Sequence, residues 1–283
     1  MCFDLQAFAK ALPGEPGPTG SEVRDARRRQ HRLKVENEAR PLSVQIERIL
    51  RRIAEREASQ AIRDLGIVEV AKIIPADLED LRNVLENFGG ARLADSTIQM
   101  ARRLGVDPDE LGGVRRIRQE AEIDLAGQID VILAEFETGT QLEISNIVRE
   151  IIEQAQSEFP RPTQTEIASR IREAAGRVAI LSPTRAEDIS RRYTTGVENA
   201  GIDAAYREAG IVKIEWVSIL SISAIGNPPR WWHREMDGET TAVGVPFKVP
   251  NPQGGVDLMR YPGDPRAPGE QTRYCRCTTS PVK

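Results

Sequence analysis

Apolar residues recur at helical intervals along much of the first 210 residues of the chain. Between residues 42 and 53 they stand at mixed helical spacing: Leu42, Val44, Ile46, Ile49, Leu50 and Ile53. A proline removes a backbone donor and crowds the preceding turn, so Pro41 predicts a break between two helices, at about 21–39 and 42–65. The pattern therefore predicts two helices between residues 21 and 65.

Helical signals continue beyond this pair. Pro75 opens an apolar-periodic segment that Gly89-Gly90 is expected to end, and a separate helix is expected over residues 91–104. Residues 107–159 have the pattern of one long helical region. Residues 21–159 are therefore predicted to form helices joined by short connections.

The next helical region is predicted in two pieces. Residues 163–178 form the first, and Ser182-Pro183-Thr184 is expected to cap a second helix that reaches about Ala209. Gly210 is placed to end that helix, because glycine adopts the left-handed conformation at low cost.

The residue composition of the sequence changes after Gly210. The segment IVKIEWVSILSIS, residues 211–223, is β-branched and apolar and is the only strong strand signal in the chain. Glycine and proline are frequent from Gly226 onward, which is typical of loops. The predicted fold is mainly α: a flexible N-terminal arm at residues 1–20, a long helical body at 21–181 and a small, loop-rich α+β C-terminal module at 182–283.

Composition narrows the class of protein. Hydrophobic residues make up 40% of the 283-residue chain but aromatic residues only 5%, which favours solvated helices over a compact barrel. The sequence has no apolar run of about 18 residues and no signal-peptide pattern, so we expect no membrane partner and synthesis in the cytoplasm. Three cysteines are too few for a disulfide framework.

Charge is distributed unevenly along the chain. The formal net charge of −4 gives no overall nucleic-acid signature. Residues 107–159 hold 13 acidic and 4 basic residues, a balance of −9, whereas residues 21–60 hold 11 basic and 7 acidic residues, a balance of +4. Solvated helix faces are the simplest interpretation. Complementary surfaces for neighbouring subunits, or a basic arm on nucleic acid, are the functional alternatives.

The candidate metal ligands lie near the C-terminus. His233, Cys275 and Cys277 are soft ligands, and Asp237 could be a fourth. Structural zinc sites usually have cysteine pairs with about two to four intervening residues, whereas Cys-Arg-Cys has a single one, Arg276. Both thiols would share one face of an extended strand, so chelation is open but not favoured. We therefore predict no metal, with both cysteines packed under the loop and Arg276 pointing outward.

Catalysis and disulfide formation are the other options for these residues. A cysteine thiolate beside His233 would be a nucleophile, but nothing in the sequence supplies a third group or an oxyanion hole. A disulfide between Cys275 and Cys277 would close a small strained ring. Trp216 and Trp231-Trp232 are interpreted as core residues, with a binding platform as the alternative for the pair.

Four landmarks follow one another over residues 182–279. They are Asn199, Gly201 and Ala205-Tyr206-Arg207 in a helix; Glu215-Trp216 in the strand; His233, Asp237-Gly238 and Pro246-Phe247; and Tyr261-Pro262-Gly263-Asp264 with Cys275-Arg276-Cys277. In this order and spacing they resemble the Mu F-like head morphogenesis family, the minor head proteins of tailed bacteriophages. Residues 1–181 match that family by no motif.

The resemblance implies a structural role in the virion. Proteins of this family are present in few copies, associate with the portal or the capsid interior, and support head assembly and the packaging or delivery of DNA. We accordingly expect a non-enzymatic, cofactor-free protein of the phage head, present in several copies. Its expected partners are the portal protein, the major capsid protein or both, with packaged DNA as a further possible contact. The alternatives are a metal-dependent nuclease and a free-standing helical DNA-binding adaptor.

Three features depart from the family pattern. The Asp-x-Arg-Thr expected shortly before His233 is absent, Tyr193 stands where the family has a glutamate, and the Cys-x-x-Cys that completes a zinc site in some relatives is missing. These departures argue against metal binding and catalysis. The Tyr261–Cys277 loop is instead expected to fold back onto the strand and the His233–Gly238 turn. Gly263 would form a tight turn there, and Asp264 would cap backbone amides.

Overall fold

A computed structural model of the protein describes residues 20–63, 75–107, 114–160, 162–219, 231–273 and 275–282. Four long helices make up most of it: α1 (Gly20–Arg63), α2 (Pro75–Arg103), α3 (Val114–Ser157) and α4 (Gln164–Glu208). Small antiparallel sheets follow near the C-terminus, so the predicted mainly α fold with a small α+β part is confirmed. Apart from Gly20, the predicted N-terminal arm lies outside the described residues.

The helices are longer than predicted, because two prolines do not break them. Pro41 lies inside α1 and Pro183 inside α4, and both are exposed. One buried face of α1 runs past Pro41 without interruption: Val35, Ala39, Leu42, Ile46, Ile49, Leu50 and Ile53. Burial of each large aliphatic side chain contributes about 1.5–3 kcal/mol, and together these outweigh the roughly 3 kcal/mol cost of an interior proline. The predicted helix breaks at Pro41 and Ser182 are therefore wrong.

The helix end predicted at Gly89-Gly90 is also wrong, because α2 continues through both glycines. Gly89 faces α4, where a Cβ atom would lie 2.2 Å from the hydroxyl oxygen of Tyr193. Gly201 has the same role at another point of the α2–α4 contact, where a Cβ atom would lie 2.7 Å from the Cβ of Ser96. These glycines allow two helices to pack closely.

Helix α4 ends as the sequence predicts. Gly210 has a φ of 64°, the left-handed conformation that favours glycine. Its N–H donates to the carbonyl of Arg207 at 3.2 Å, and the N–H of Ile211 donates to the carbonyl of Tyr206 at 3.0 Å. This pair of bonds is a Schellman motif, and it turns the chain from the helix toward the first strand.

The C-terminal part contains two small antiparallel sheets. Strand β1 (Lys213–Val217) lies between β2 (Thr240–Ala242) and β5 (Thr278–Pro281), and β3 (Phe247–Pro250) pairs with β4 (Val256–Met259). Two short helices, α5 (Trp231–Glu235) and α6 (Gly269–Thr272), connect the strands. The strand signal over 211–223 is confirmed for β1, while residues 220–230 lie outside the described part of the chain.

Two apolar clusters share helix α4. Val197 and Ala200 belong to a cluster formed with α1, α2 and α3, whereas Ala205 and Tyr206 belong to a second cluster formed with β1, β3 and β4. The helical body and the small sheets are thus built on the same helix. None of the helices described carries an apolar stretch that would cross a membrane.

Candidate metal centre

His233, Cys275 and Cys277 come together in the second apolar cluster. His233 lies in α5, and both cysteines lie just ahead of β5. The Nδ1 atom of His233 is 3.6 Å from the sulfur of Cys275 and 3.7 Å from the sulfur of Cys277. All three side chains are buried, and neither cysteine is in a disulfide. Among the residues that the structure describes, these three side chains form a group whose arrangement would suit a metal ion.

Gln271 of α6 fixes the orientation of the histidine ring. Its amide nitrogen donates to the carbonyl of Pro250 at 2.9 Å and to Asp257 Oδ2 at 2.8 Å. Its amide oxygen therefore faces His233 Nε2, at 2.8 Å, and also accepts from the indole of Trp232 at 3.1 Å. Because an amide oxygen only accepts, Nε2 carries the proton, and the lone pair of Nδ1 points toward the two sulfurs.

The surroundings of this group are apolar and tightly packed. The ring of Trp216 is fully buried and stands edge-on to the rings of His233 and Phe247, at 5.4 and 5.3 Å between centroids. The hydrogen bond from Cys275, and then the contact with His233, hold the pKa of the Cys277 thiol well below its ordinary value, although burial acts in the opposite direction. The site thus favours the thiolate, which is the form that binds metal.

Asp237, which the sequence offered as a possible fourth ligand, binds other partners. Its Oδ1 accepts from the backbone N–H of Ser218 at 2.9 Å, and its Oδ2 accepts from Arg28 of α1 at 2.5 Å. Gly238 follows with a φ of 85°, and its N–H donates to the carbonyl of Trp216 at 2.8 Å. The His-x-x-x-Asp-Gly landmark therefore has two roles: the histidine faces the thiols, and the Asp-Gly turn is tied to β1 and α1.

Asn199 joins the helix landmark to the two C-terminal landmarks. Its amide nitrogen donates to the carbonyls of Pro262 and Cys277, each at 2.9 Å. Its amide oxygen accepts from the hydroxyl of Thr278 at 2.8 Å. The side chain is completely buried, so all three bonds are shielded from water.

The Tyr261–Asp264 segment packs on helix α4. The whole Tyr261–Cys277 loop is predicted from the sequence to fold onto β1 and the His233–Gly238 turn, and for this first part of the loop the prediction is wrong. Tyr261 enters the cluster of the long helices. Gly263 has a φ of 78°, and a Cβ atom there would lie 3.2 Å from the Cα of Gly196. The shared landmark thus forms a tight contact between loop and helix. The later part of the loop, with Cys275 and Cys277, does reach His233.

Asp264 caps the turn as predicted. Its carboxylate accepts from the backbone N–H of Arg260 at 2.8 Å and from that of Arg266 at 3.1 Å. Burial raises the pKa of this carboxyl group to about 6, against the effect of these hydrogen bonds and of the Arg260 charge.

Two side chains differ from their predicted positions. Arg276 does not point outward: it is buried, and its guanidinium lies 3.2 Å from Glu36 of α1, because α1 covers this side of the chain. Trp216 is a core residue as predicted, but Trp231 is exposed over 44% of its surface. Gln271 was not predicted, since nothing in the short Gly-Glu-Gln-Thr stretch marks it as a partner of His233.

No family model, no curated protein and no solved structure matches the chain. The Mu F-like resemblance therefore depends on the landmark residues themselves.

Proposed function

We propose that this chain is a structural minor head protein of a tailed bacteriophage. In this role it would associate with the portal or the capsid interior in several copies and support the packaging or delivery of DNA. The observation that carries the proposal is the position of Asn199. This single buried side chain joins the helix landmark to the Tyr261–Asp264 and Cys275–Cys277 landmarks. The residues that resemble the family's motifs are thus hydrogen-bonded to one another in the folded chain.

The landmark residues are engaged in holding the module together. Asp264 caps a turn, Asp237 binds Arg28 and Ser218, and Gly263 contacts Gly196. Such contacts are typical of a structural subunit, in which side chains stabilise the fold that neighbouring subunits bind. A nuclease requires groups that reach a phosphodiester, whereas His233 and both cysteines are buried here. These observations support the structural role over the enzymatic alternative.

The long helices offer surfaces of opposite charge for subunit contacts or for DNA. Exposed basic residues of α1 are Arg29, Arg40, Arg48, Arg51, Arg52 and Arg56, of which Arg51 pairs with Glu47 and Arg52 with Asp80. Exposed acidic residues of α3 are Glu122, Asp130, Glu137, Glu150 and Glu153. Opposite charges on two helices favour side-by-side association of copies or attraction to a charged partner. This asymmetry supports an assembly protein.

The test is the protein content of phage particles. Particles produced from the genome that encodes this chain are separated by density, and the chain is quantified against the major capsid protein by mass spectrometry. We expect a few copies in procapsids or mature heads, and fewer DNA-filled heads when the gene carries a stop codon. Absence of the chain from both kinds of particle would contradict the proposal.

Two assays distinguish the alternatives. DNA cleavage by the purified chain that is lost in His233→Ala would favour the nuclease. Salt-sensitive DNA binding by a chain that never enters particles would favour the free-standing adaptor.

A further inference from the structure

The Nδ1 atom of His233 lies at nearly equal distances from two sulfurs. An imidazole nitrogen has one lone pair, which points toward one donor, yet two sulfurs lie at nearly equal distances from it, 3.6 and 3.7 Å. One thiol can donate along that lone pair, and Cys275 also hydrogen-bonds to Cys277, so the nitrogen and both sulfurs converge on one small space. A cation placed between the nitrogen and both sulfurs accounts for all the distances together.

The distances also fit zinc. With Zn–S bonds of about 2.3 Å and Zn–N bonds of about 2.0–2.1 Å, a tetrahedral ion places nitrogen and sulfur ligands about 3.6 Å apart. The two measured N···S distances are 3.6 and 3.7 Å, and all three ligand atoms lie within 4.8 Å of one another. A one-residue spacing between the cysteines is therefore no obstacle, because both sulfurs already face the same nitrogen.

The groups around the ligands match those of a metal-binding histidine. Such a histidine donates its remaining N–H to an acceptor that is itself held in place. Here Nε2 of His233 bonds to Gln271, and Gln271 is anchored by Asp257 and the carbonyl of Pro250. The buried ring of Trp216 stands edge-on to the His233 ring, and Phe247 packs in turn on Trp216. The apolar shell and the oriented ring are those expected at a zinc site.

We propose that His233, Cys275 and Cys277 bind one Zn²⁺ ion, which joins the short helix α5 to the segment that leads into β5. This differs from the expectation, based on the sequence, that the two cysteines only pack under the loop. Three protein ligands leave one tetrahedral position for solvent or another group. The inference does not depend on the proposed role in the virion, since a zinc-free chain in phage heads and a zinc-bound chain absent from them are both measurable.

The experiment uses the full chain purified from zinc-supplemented cells and dialysed against metal-free buffer. Elemental analysis is expected to find about one zinc per chain, in line with a single site. Exchange of zinc for Co²⁺ is expected to produce thiolate-to-cobalt charge-transfer absorption and the visible bands of tetrahedral cobalt. A chain without retained zinc, or with octahedral cobalt bands only, would overturn the proposal.

Variants assign the ligands. Cys277→Ser and His233→Ala are expected to lose retained zinc, and Cys277→Ser to lower the charge-transfer absorption. Cys2→Ser is the matched control, because it removes a cysteine that is not one of the three ligands, and it is expected to retain zinc and the full cobalt spectrum. Equal zinc content in Cys2→Ser and Cys277→Ser would overturn the assignment. If a ligand variant fails to fold, the metal content and the cobalt spectrum of the unmodified chain still decide the matter.

Discussion

The guanidinium of Arg28 lies 2.5 Å from the carboxylate of Asp237, and this ion pair joins the first long helix to the C-terminal sheets across 209 residues of sequence. Arg28 also donates from Nε to the carbonyl of Ser218 at 2.8 Å. Farther along α1, Glu36 pairs with Arg276. Helix α1 therefore stabilises the module that contains the landmark residues.

Arg28→Ala is expected to lower the free energy of unfolding by about 2 kcal/mol, because it leaves the half-buried carboxylate of Asp237 without a charged partner. Arg51→Ala is the control: Arg51 pairs with Glu47 at 2.7 Å on an exposed helix face, where such pairs contribute about 0.5 kcal/mol or less. Urea unfolding followed by circular dichroism measures both. Equal losses in the two variants would contradict a special role for Arg28.

Asn199→Ala is expected to cost about 3 kcal/mol, because it leaves the carbonyls of Pro262 and Cys277 and the hydroxyl of Thr278 without their partner in a buried site. Asn146→Ala, on an exposed face of α3, is expected to change stability by about 0.5 kcal/mol or less. The difference is measured as the shift in urea midpoint at constant slope. A small effect at Asn199 would mean that the landmarks do not depend on one another.

Gly263→Ala is expected to destabilise the protein more than Gly254→Ala. Both glycines have positive φ values, 78° and 84°, so both variants carry a backbone strain of about 1–2 kcal/mol. Only Gly263 has a neighbour: its new Cβ would lie 3.2 Å from Gly196, whereas Gly254 has open space. The crowding adds about 1–3 kcal/mol. Similar melting temperatures for the two variants would show that the loop does not press on α4.

Stability is expected to fall in acid because of His31. Burial lowers the pKa of this imidazole to about 4, with Glu198 opposing the shift and Arg27 and Lys34 reinforcing it. In the unfolded chain the group titrates near pH 6.5, so between pH 6.5 and 4 the unfolded state binds more protons than the folded state. The free energy of unfolding therefore decreases by up to about 3 kcal/mol as the pH falls through this range.

His31→Leu removes this dependence, and its stability relative to the unchanged chain is expected to improve as the pH falls from 6.5 to 4. Asp264 titrates in the same range with the opposite sign, because burial raises the pKa of its carboxyl group. Its contribution is present in both proteins and cancels in the difference. Urea unfolding at several pH values gives that difference. A constant difference across the range would show that His31 is not buried in the neutral form.

The class of fold could be predicted from local patterns. Periodic apolar residues predict the helices, the β-branched run predicts β1, and Gly210 predicts the end of α4. The lengths of the helices could not be predicted, because Pro41 and Gly89 act through their tertiary surroundings. The apolar face of α1 that continues past Pro41 is stabilised by packing against other helices. The absence of a side chain at Gly89 leaves space for Tyr193, about a hundred positions away.

The residues of the candidate site could be named from the sequence, where they are predicted to bind no metal, but their arrangement could not. His233, Cys275 and Cys277 can be selected by residue type alone, whereas the orientation of the imidazole depends on Gln271, an amide that no motif marks. The sequence also pointed to Asp237 as a ligand, but Arg28 holds that carboxylate. Partners so distant in sequence leave no local pattern to recognise.

Helix α4 has a mechanical consequence. At 45 residues it is about 68 Å long, and it contributes to both apolar clusters without an intervening loop. Val197 and Ala200 of one cluster are followed directly by Ala205 and Tyr206 of the other, so a force applied to the small sheets would pass into the bundle with no loop between them. Displacing the sheets relative to the bundle would require bending or unwinding the helix between Ala200 and Ala205, so we expect the two clusters to respond to load together.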